Sequence, residues 1–349
     1  MSAPAPKQHQ ISVPGIEFVE IPTTRLKVSR IALGTWAMGG SMWGGTDRRE
    51  SMATIHSALH LGVNLIDTAP VYGFGVSEEI VGTALAGIRT EAMIATKAGL
   101  EWRDGKIYRN AGRARIMQEV EDSLRRLRTD YIDIYQVHWP DPLVPVEETA
   151  EAMRSLYEQG KIRAIGVSNF SLAQLKSFRR VAPLHVLQSP YNLFERELEG
   201  QILSYCRSND IATLGYGALC RGLLSGRMRP DTTFDGDDLR RIDPKFQPPR
   251  FAQYLEAVGQ LDKFAQRRFR RHVIELAVRW VLDQGVNVAL WGGRRPDQLE
   301  AALGVAGWSL NTVDLALIDL IVNTVIKDPV GSEFMAPPPR SQTSIGIPT

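Results

Sequence analysis

Residues 113–138, RARIMQEVEDSLRRLRTDYIDIYQVH, set a helical pattern directly against an apolar run. In the first part Ile116, Val120, Leu124 and Leu127 recur at i, i+4, i+8 and i+11, which puts them on one helix face. In the second, Tyr131–His138 is apolar almost continuously rather than alternately, the pattern of a strand buried on both faces. A helix with one apolar stripe beside a doubly buried strand is the repeating unit of a parallel α/β fold.

The same unit recurs on either side. Apolar runs read Ile31–Gly34, Asn64–Thr68, Ala92–Lys97, Tyr131–His138, Ile162–Ser168, His185–Pro190, Ile211–Tyr216 and Val286–Gly292. Helical patterns over Glu151–Gln159 and Leu172–Val181 lie between two pairs of them, and Gly160 supplies a C-terminal stop for the first. Eight strands, most followed by a helix, predict a (β/α)8 TIM barrel; the rival, a doubly wound sheet, usually has fewer strands.

Before the first run, IEFVEIP (16–22) and LKVS (26–29) read as an N-terminal β-hairpin. After the seventh run the rhythm breaks over Gly217–Arg271, with DTTFDGDD, KFQPPR and a helical stretch Phe251–Phe264. So long an insertion is expected to be a loop or lid over the barrel mouth. The chain thus reads as a flexible tail (1–15), one barrel domain (16–335) and a C-terminal tail (336–349), a surface segment of the kind that can fold over a pocket.

Composition excludes several classes. At 44% hydrophobic and 23% charged residues, the chain is that of a globular protein with a sizeable core. A net charge of +2, evenly spread, gives no sign of a nucleic-acid or anionic-membrane partner, and Arg267–Arg271 reads as a solvated helix end. Cys206 and Cys220 have neither disulfide-framework nor metal-ligand spacing. No run of about 18 apolar residues offers a spanning helix. The first residues, MSAPAPKQHQ, lack a secretory apolar core, so the expected compartment is the cytoplasm.

Four polar residues fall where a strand gives way to its loop: Asp67 closing NLIDTAP, Tyr72 just beyond it, Lys97 closing AMIATK and His138 closing YIDIYQVH. In a parallel barrel these strand ends converge on one mouth. Reducing a carbonyl by hydride transfer leaves an alkoxide that must receive a proton. Tyr72 can donate it if nearby positive charge raises its acidity, Lys97 can supply that charge, Asp67 can anchor the lysine, and His138 can orient the substrate oxygen. In reverse, Tyr72 would act as the base toward an alcohol. Taken singly, each residue is as readily explained by packing or a structural ion pair; their joint placement favours chemistry.

No GxGxxG turn joins a strand to a helix, which argues against a Rossmann domain. A nicotinamide would have to lie across the mouth, hydrogen-bonded to Ser168, Asn169 and Gln188 and stacked on Tyr216. Arg294 and Arg295, just ahead of a helix expected near Pro296, could hold a phosphate; alone, that stretch reads equally well as a charged surface turn.

The ordered segments LGTWAMGG (33–40), GVNLIDTAPVYGFGVSEEIVG (62–82), ATKAG (95–99), DIYQVHWPDP (133–142), GKIRAIGVSNF (160–170), LQSPYN (187–192) and YGALCRGLLSGR (216–227) resemble the aldo-keto reductase family. The resemblance implies a (β/α)8 barrel that binds NADP(H) in extended form, with NAD(H) as the alternative. It implies Tyr72 as proton donor with Asp67, Lys97 and His138, and Ser168, Asn169, Gln188 and Tyr216 around the nicotinamide. Gly34, Thr35 and Trp36 match the turn that contacts the cofactor, and Leu219 and Arg221 the segment along the pyrophosphate. Gly292, Arg294 and Gln298 complete the nucleotide contacts. Gly217-Ala218 stands where Ser-Pro is common, and Ala302 where many members carry Asn.

The expected substrate is a small aldehyde, ketone, sugar or polyol, in a pocket walled by Trp36, Trp102, Trp139 and residues from the insertion, with Trp43 and Phe74 as further candidates. No metal is expected: His138 has no second histidine or paired carboxylate at ligand spacing. The family's commonest state, a monomer, is the expected one. The competing reading is a docking or regulatory subunit resembling potassium-channel β subunits, which keep the same four residues.

Overall fold

The computed structural model describes residues 15–340. Twelve strands are found there: β1 (Phe18–Glu20), β2 (Lys27–Ser29), β3 (Ile31–Gly34), β4 (Leu65–Asp67), β5 (Met93–Ala98), β6 (Leu100–Arg103), β7 (Lys106–Arg109), β8 (Ile134–Val137), β9 (Ile165–Ser168), β10 (Val186–Pro190), β11 (Ala212–Tyr216) and β12 (Val288–Gly292). Eight are parallel and close into a barrel in the order β10-β11-β12-β3-β4-β5-β8-β9. Each barrel strand lies within one of the eight apolar runs, except that β5 passes the end of its run by one residue, Ala98, and β1 pairs antiparallel with β2 as the expected hairpin.

Nine α-helices accompany them: α1 (Arg48–His60), α2 (Val76–Ala84), α3 (Arg113–Leu127), α4 (Val146–Glu158), α5 (Leu172–Arg179), α6 (Gln201–Ser208), α7 (Arg250–Phe269), α8 (Val273–Asp283) and α9 (Thr312–Val325). Three show why the chain folds so locally. In α3, Ile116, Val120 and Leu127 are buried and Leu124 half-buried, so the stripe faces the strands. Glu147 and Glu148 start α4 five residues earlier than the apolar pattern implies, because acidic side chains favour the positive end of a helix dipole. Beyond its end Gly160 takes φ +73°, the left-handed conformation that glycine adopts without a Cβ clash. Ser171 and Gln174 close a reciprocal capping box on α5. The helix expected from Pro296 is a 3-10 turn, Pro296–Val305.

Strand alternation separates two cores. Leu65, Ala95, Ile134, Val186, Leu214 and Val288 fill the barrel, while Ile66, Ile94, Tyr135, Leu187 and Ala289 pack under the helices. Two residues further along, the inward positions turn polar: Asp67, Lys97, Gln136 and Gln188 follow Leu65, Ala95, Ile134 and Val186 at i+2. This polar layer is the floor of the mouth.

The insertion covers the mouth with its first part only, and its expected helical stretch lies elsewhere. Gly217, Leu219, Arg221, Gly222, Arg240 and Ile242 reach the mouth, but Arg250–Phe269 is a full helix packed on α8 and α9. Tyr254, Ala257, Val258, Leu261 and Ala265 give it an apolar stripe that must be buried against the barrel's outer layer. A second antiparallel hairpin, β6–β7, stands above β5. The start of the C-terminal segment folds over the mouth, where Arg109 donates from its backbone N–H to Pro338 O (3.0 Å) and from Nε to Pro337 O (2.7 Å). The expected N-terminal tail, Gly15 apart, and the end of the C-terminal tail lie outside the described residues.

Candidate active site

The barrel mouth holds a cavity of about 340 Å³ lined by Gly34, Thr35, Trp36, Asp67, Tyr72, His138 and Trp139 on one side. Ser168, Asn169, Gln188, Tyr216, Leu219, Arg221, Gly292, Arg294 and Gln298 line the other. Among the residues expected at the site, Phe74, Lys97, Trp102 and Arg295 are not in this lining. Lys97 lies fully buried behind Tyr72. Trp102 packs in a small apolar cluster with Leu100 and Ile107, its ring 5.7 Å from Phe74. This corrects the expected wall: β6 directs Leu100 and β7 directs Ile107 at the cavity, and Trp102 backs them. Trp43 does line the cavity, edge-on to Trp36.

Lys97 Nζ donates to Asp67 Oδ1 at 2.7 Å, to Thr68 O at 2.9 Å and to Tyr72 Oη at 3.4 Å. Two chain segments thus meet at one ammonium because β4 and β5 are neighbours in register. The His138 ring stands edge-on to Tyr72 with centroids 5.8 Å apart. Burial and, second, the Asp67 charge hold the Tyr72 phenol well above its ordinary pKa. The Lys97 hydrogen bond favours the phenolate but does not outweigh these causes in the resting site. Asp67 lies 2.7 Å from the ammonium and compensates its charge, so the phenol meets an ion pair rather than a free cation. Burial lowers Lys97 from its usual range despite Asp67, and burial with the Lys97 charge keeps His138 a neutral imidazole at neutral pH. The resting set is a neutral phenol and a neutral imidazole, both able to donate a proton or hydrogen bond to an oxygen.

The position of Tyr72 is fixed sterically as well. A Cβ built on Gly39 would lie 2.4 Å from the Tyr72 carbonyl carbon, and one on Gly73 2.0 Å from Gly39 O. Backbone meets backbone there, so Gly39→Ala is expected to displace Tyr72 and lower kcat about tenfold or more with a smaller change in nucleotide affinity. Steady-state kinetics beside a nucleotide titration check this.

The residues expected around a nicotinamide form a linked set. Asn169, at φ +62°, donates from Nδ2 to Ser168 Oγ (2.9 Å) and His138 O (3.0 Å), and its Oδ1 accepts from Tyr216 Oη (3.0 Å). Gln188 donates from Nε2 to Asp67 Oδ2 at 2.8 Å. Gly34 and Gly292 are direct register partners at the ends of β3 and β12, leaving the rim between them without side chains. Arg221 is buried in a charge cluster, with Glu195 at 2.5 Å and Asp243 at 2.6 Å, and Lys245 joins Glu195 at 2.8 Å. Arg294 donates to Trp43 O at 2.8 Å, and Arg295 pairs with Asp297 at 3.0 Å. Gln298 Oε1 accepts from the backbone N–H groups of Arg294 and Arg295, which shapes the turn carrying both arginines.

Sequence reading missed Met42, Arg240, Ile242, Phe334, Met335 and Pro337, all lining the cavity from loops without periodicity. It also missed Gln136, although a glutamine two residues before His138 in an apolar run was a visible signal. Among the described residues no group of His, Cys, Asp and Glu side chains could hold a metal ion, and no helix is long and apolar enough to cross a membrane.

The model of the aldo/keto reductase family matches residues 30–323. The chain is 60% identical over 330 residues to the aldo-keto reductase YhdN of Bacillus subtilis, covering 94% of this chain and all of that one. Among solved structures, it resembles the glycerol dehydrogenase AKR11B4 of Gluconobacter oxydans at 50% identity and a TM-score of 0.82, covering 93% of this chain and all of that one. An aldo/keto reductase from Klebsiella pneumoniae in complex with NADP and acetate matches at 27% identity and a TM-score of 0.67, over 94% of this chain and 97% of that one. The chain belongs to the aldo/keto reductase family and is an oxidoreductase acting on carbonyl and alcohol groups.

Proposed function

We propose that this protein is an NADPH-dependent aldo-keto reductase that interconverts a small aldehyde, ketone, sugar or polyol with its reduced or oxidised partner, with Tyr72 as the general acid and base. The observation that carries this is the Asp67–Lys97–Tyr72 contact at the floor of a cavity that His138 also lines. The cavity fits a nicotinamide: its far side presents the amides of Asn169 and Gln188, the hydroxyl of Ser168 and the ring of Tyr216, and its rim is open at Gly34 and Gly292. NADP in the Klebsiella relative and the similarity to a glycerol dehydrogenase support the cofactor and the substrate range. When bound, the cofactor supplies or accepts the hydride.

This chain's residues do the rest. His138 and Tyr72 hold the substrate oxygen, and Tyr72 gives it the proton as negative charge develops. Lys97, held by Asp67, donates to the Tyr72 oxygen and stabilises it as the proton leaves. Trp36, Trp43 and Trp139 wall the cavity and exclude water. Arg294 lines the cavity, which supports pairing of its guanidinium fork with a 2′-phosphate, whereas Arg295 is held by Asp297. Arg294→Ala should therefore weaken NADPH about tenfold or more and NADH far less, read by fluorescence titration with both nucleotides; equal losses would remove Arg294 from the 2′-phosphate site.

The test is loss of NADPH absorbance with short aldehydes, ketones and sugars, run beside NADH. Tight nucleotide binding without turnover on any of them would overturn the reading in favour of docking or sensing.

A further inference from the structure

We infer that Gln136 is a positioning residue for proton transfer, acting on Tyr72 and Lys97 through the second oxygen of Asp67; this rests on Tyr72 being the proton donor. Gln136 is fully buried on β8, with Lys97 its register partner on β5 and Gly166 its partner on β9. It occupies an inward position directly above Ile134, in the polar layer that caps the apolar barrel core.

The bonds around Asp67 give it a task. Oδ1 takes the Lys97 ammonium, whereas Oδ2 depends on two amides: Gln188 Nε2 at 2.8 Å and Gln136 Nε2 at 3.4 Å. Gln136 Oε1 in turn lies 3.4 Å from Gln188 Nε2. Gln188 also lines the cavity and has its own task toward a nicotinamide. When its amide turns to that task, Gln136 is the donor left for Oδ2, and a buried carboxylate oxygen without a donor is costly. The two glutamines together let one amide serve the cofactor without releasing Asp67.

The barrel has made room for this side chain. A Cβ at Gly166 would lie 2.7 Å from Gln136 Cγ, so the neighbouring strand carries no side chain at that level. That space would accept any long side chain, and the test must separate the amide from its volume. Methionine matches glutamine in length and lacks the donor.

Hydrogen bonds to a carboxylate favour its charged form. With the Gln136 donor removed, Asp67 holds less firmly as an anion, and the Tyr72–Lys97–Asp67 set keeps its proton to higher pH. For Gln136→Met, oxidation of glycerol or another short polyol with NADP⁺ should fall about tenfold below the pH limb and recover toward the wild-type rate above it. The limb itself should move up by about one pH unit, which is the same tenfold. A role in filling space would instead lower the rate equally at every pH.

Gln136→Glu keeps the shape and sets a second carboxyl beside Asp67. Two neighbouring carboxyls retain a proton, so its limb should also move up, and this variant decides the matter should the methionine variant not fold. Limbs that stay at the wild-type pH, with Tyr72→Phe inactive, would overturn the role of Gln136 and leave the proton donor standing. A Tyr72→Phe variant that still turns over would overturn both.

Discussion

Tyr72→Phe should reduce turnover by about 10³-fold in either direction while leaving NADP(H) affinity within about twofold and the folded state intact, since a positioned general acid typically contributes 10²–10⁴. The expectation of retained stability follows from the site. Tyr72 is half-buried, its hydroxyl has only the long 3.4 Å contact with Lys97, and that ammonium keeps Asp67 Oδ1 and Thr68 O as partners. Phenylalanine retains the ring that stacks 5.8 Å from Trp36. The variant therefore removes one proton and little else. Single-turnover absorbance beside nucleotide fluorescence reads both quantities, and more than a few per cent residual activity would show that another group delivers the proton.

Lys97→Met should do something different: lose activity by 10² or more and stability by about 3–5 kcal/mol at neutral pH, the range found when one partner of a buried ion pair is removed. Lys97 and Asp67 are both almost wholly buried, so the lone carboxylate would have no water to replace the ammonium. The sign of the pH dependence is set by that carboxylate. Unpaired, its folded pKa rises above the unfolded value near 4, so the folded variant binds a proton that the unfolded chain releases. The penalty is full at neutral pH and shrinks as pH falls through the raised folded pKa. Denaturant melts of wild type and variant at neutral and mildly acid pH test this; an equal penalty at both would remove the charge argument. Asp67→Asn with Lys97→Met should recover most of the stability and none of the activity.

The contrast marks what was legible without coordinates. Asp67, Lys97 and His138 could be read because each falls at the end of an apolar run, with Tyr72 in the loop just beyond the first, and parallel strands must end on one face. Leu100–Arg109 was equally readable and was missed. Glu101, Arg103 and Lys106 alternate there with apolar residues around Asp104-Gly105, both at positive φ, the pattern of a tight hairpin turn. The helical stretch Phe251–Phe264 was read and is α7, but its place on the outer layer was not, because the acidic and proline-rich residues before it made the whole insertion look like a cover for the mouth.

What the sequence by itself determined is the barrel and the strand ends that carry the chemistry, because period and strand order are local properties that a closed parallel sheet converts directly into position. Only the tertiary structure decided the electrostatics and the walls. The high phenol pKa comes first from burial and second from the Asp67 charge beside it. The task of Gln136 depends on a carboxylate 69 positions away in the chain. Phe334, Met335 and Pro337 reach the cavity because the segment beyond α9 is held by Arg109 on β7. Distance, burial and the competition of several donors for one oxygen are properties of the folded chain, and no periodicity encodes them.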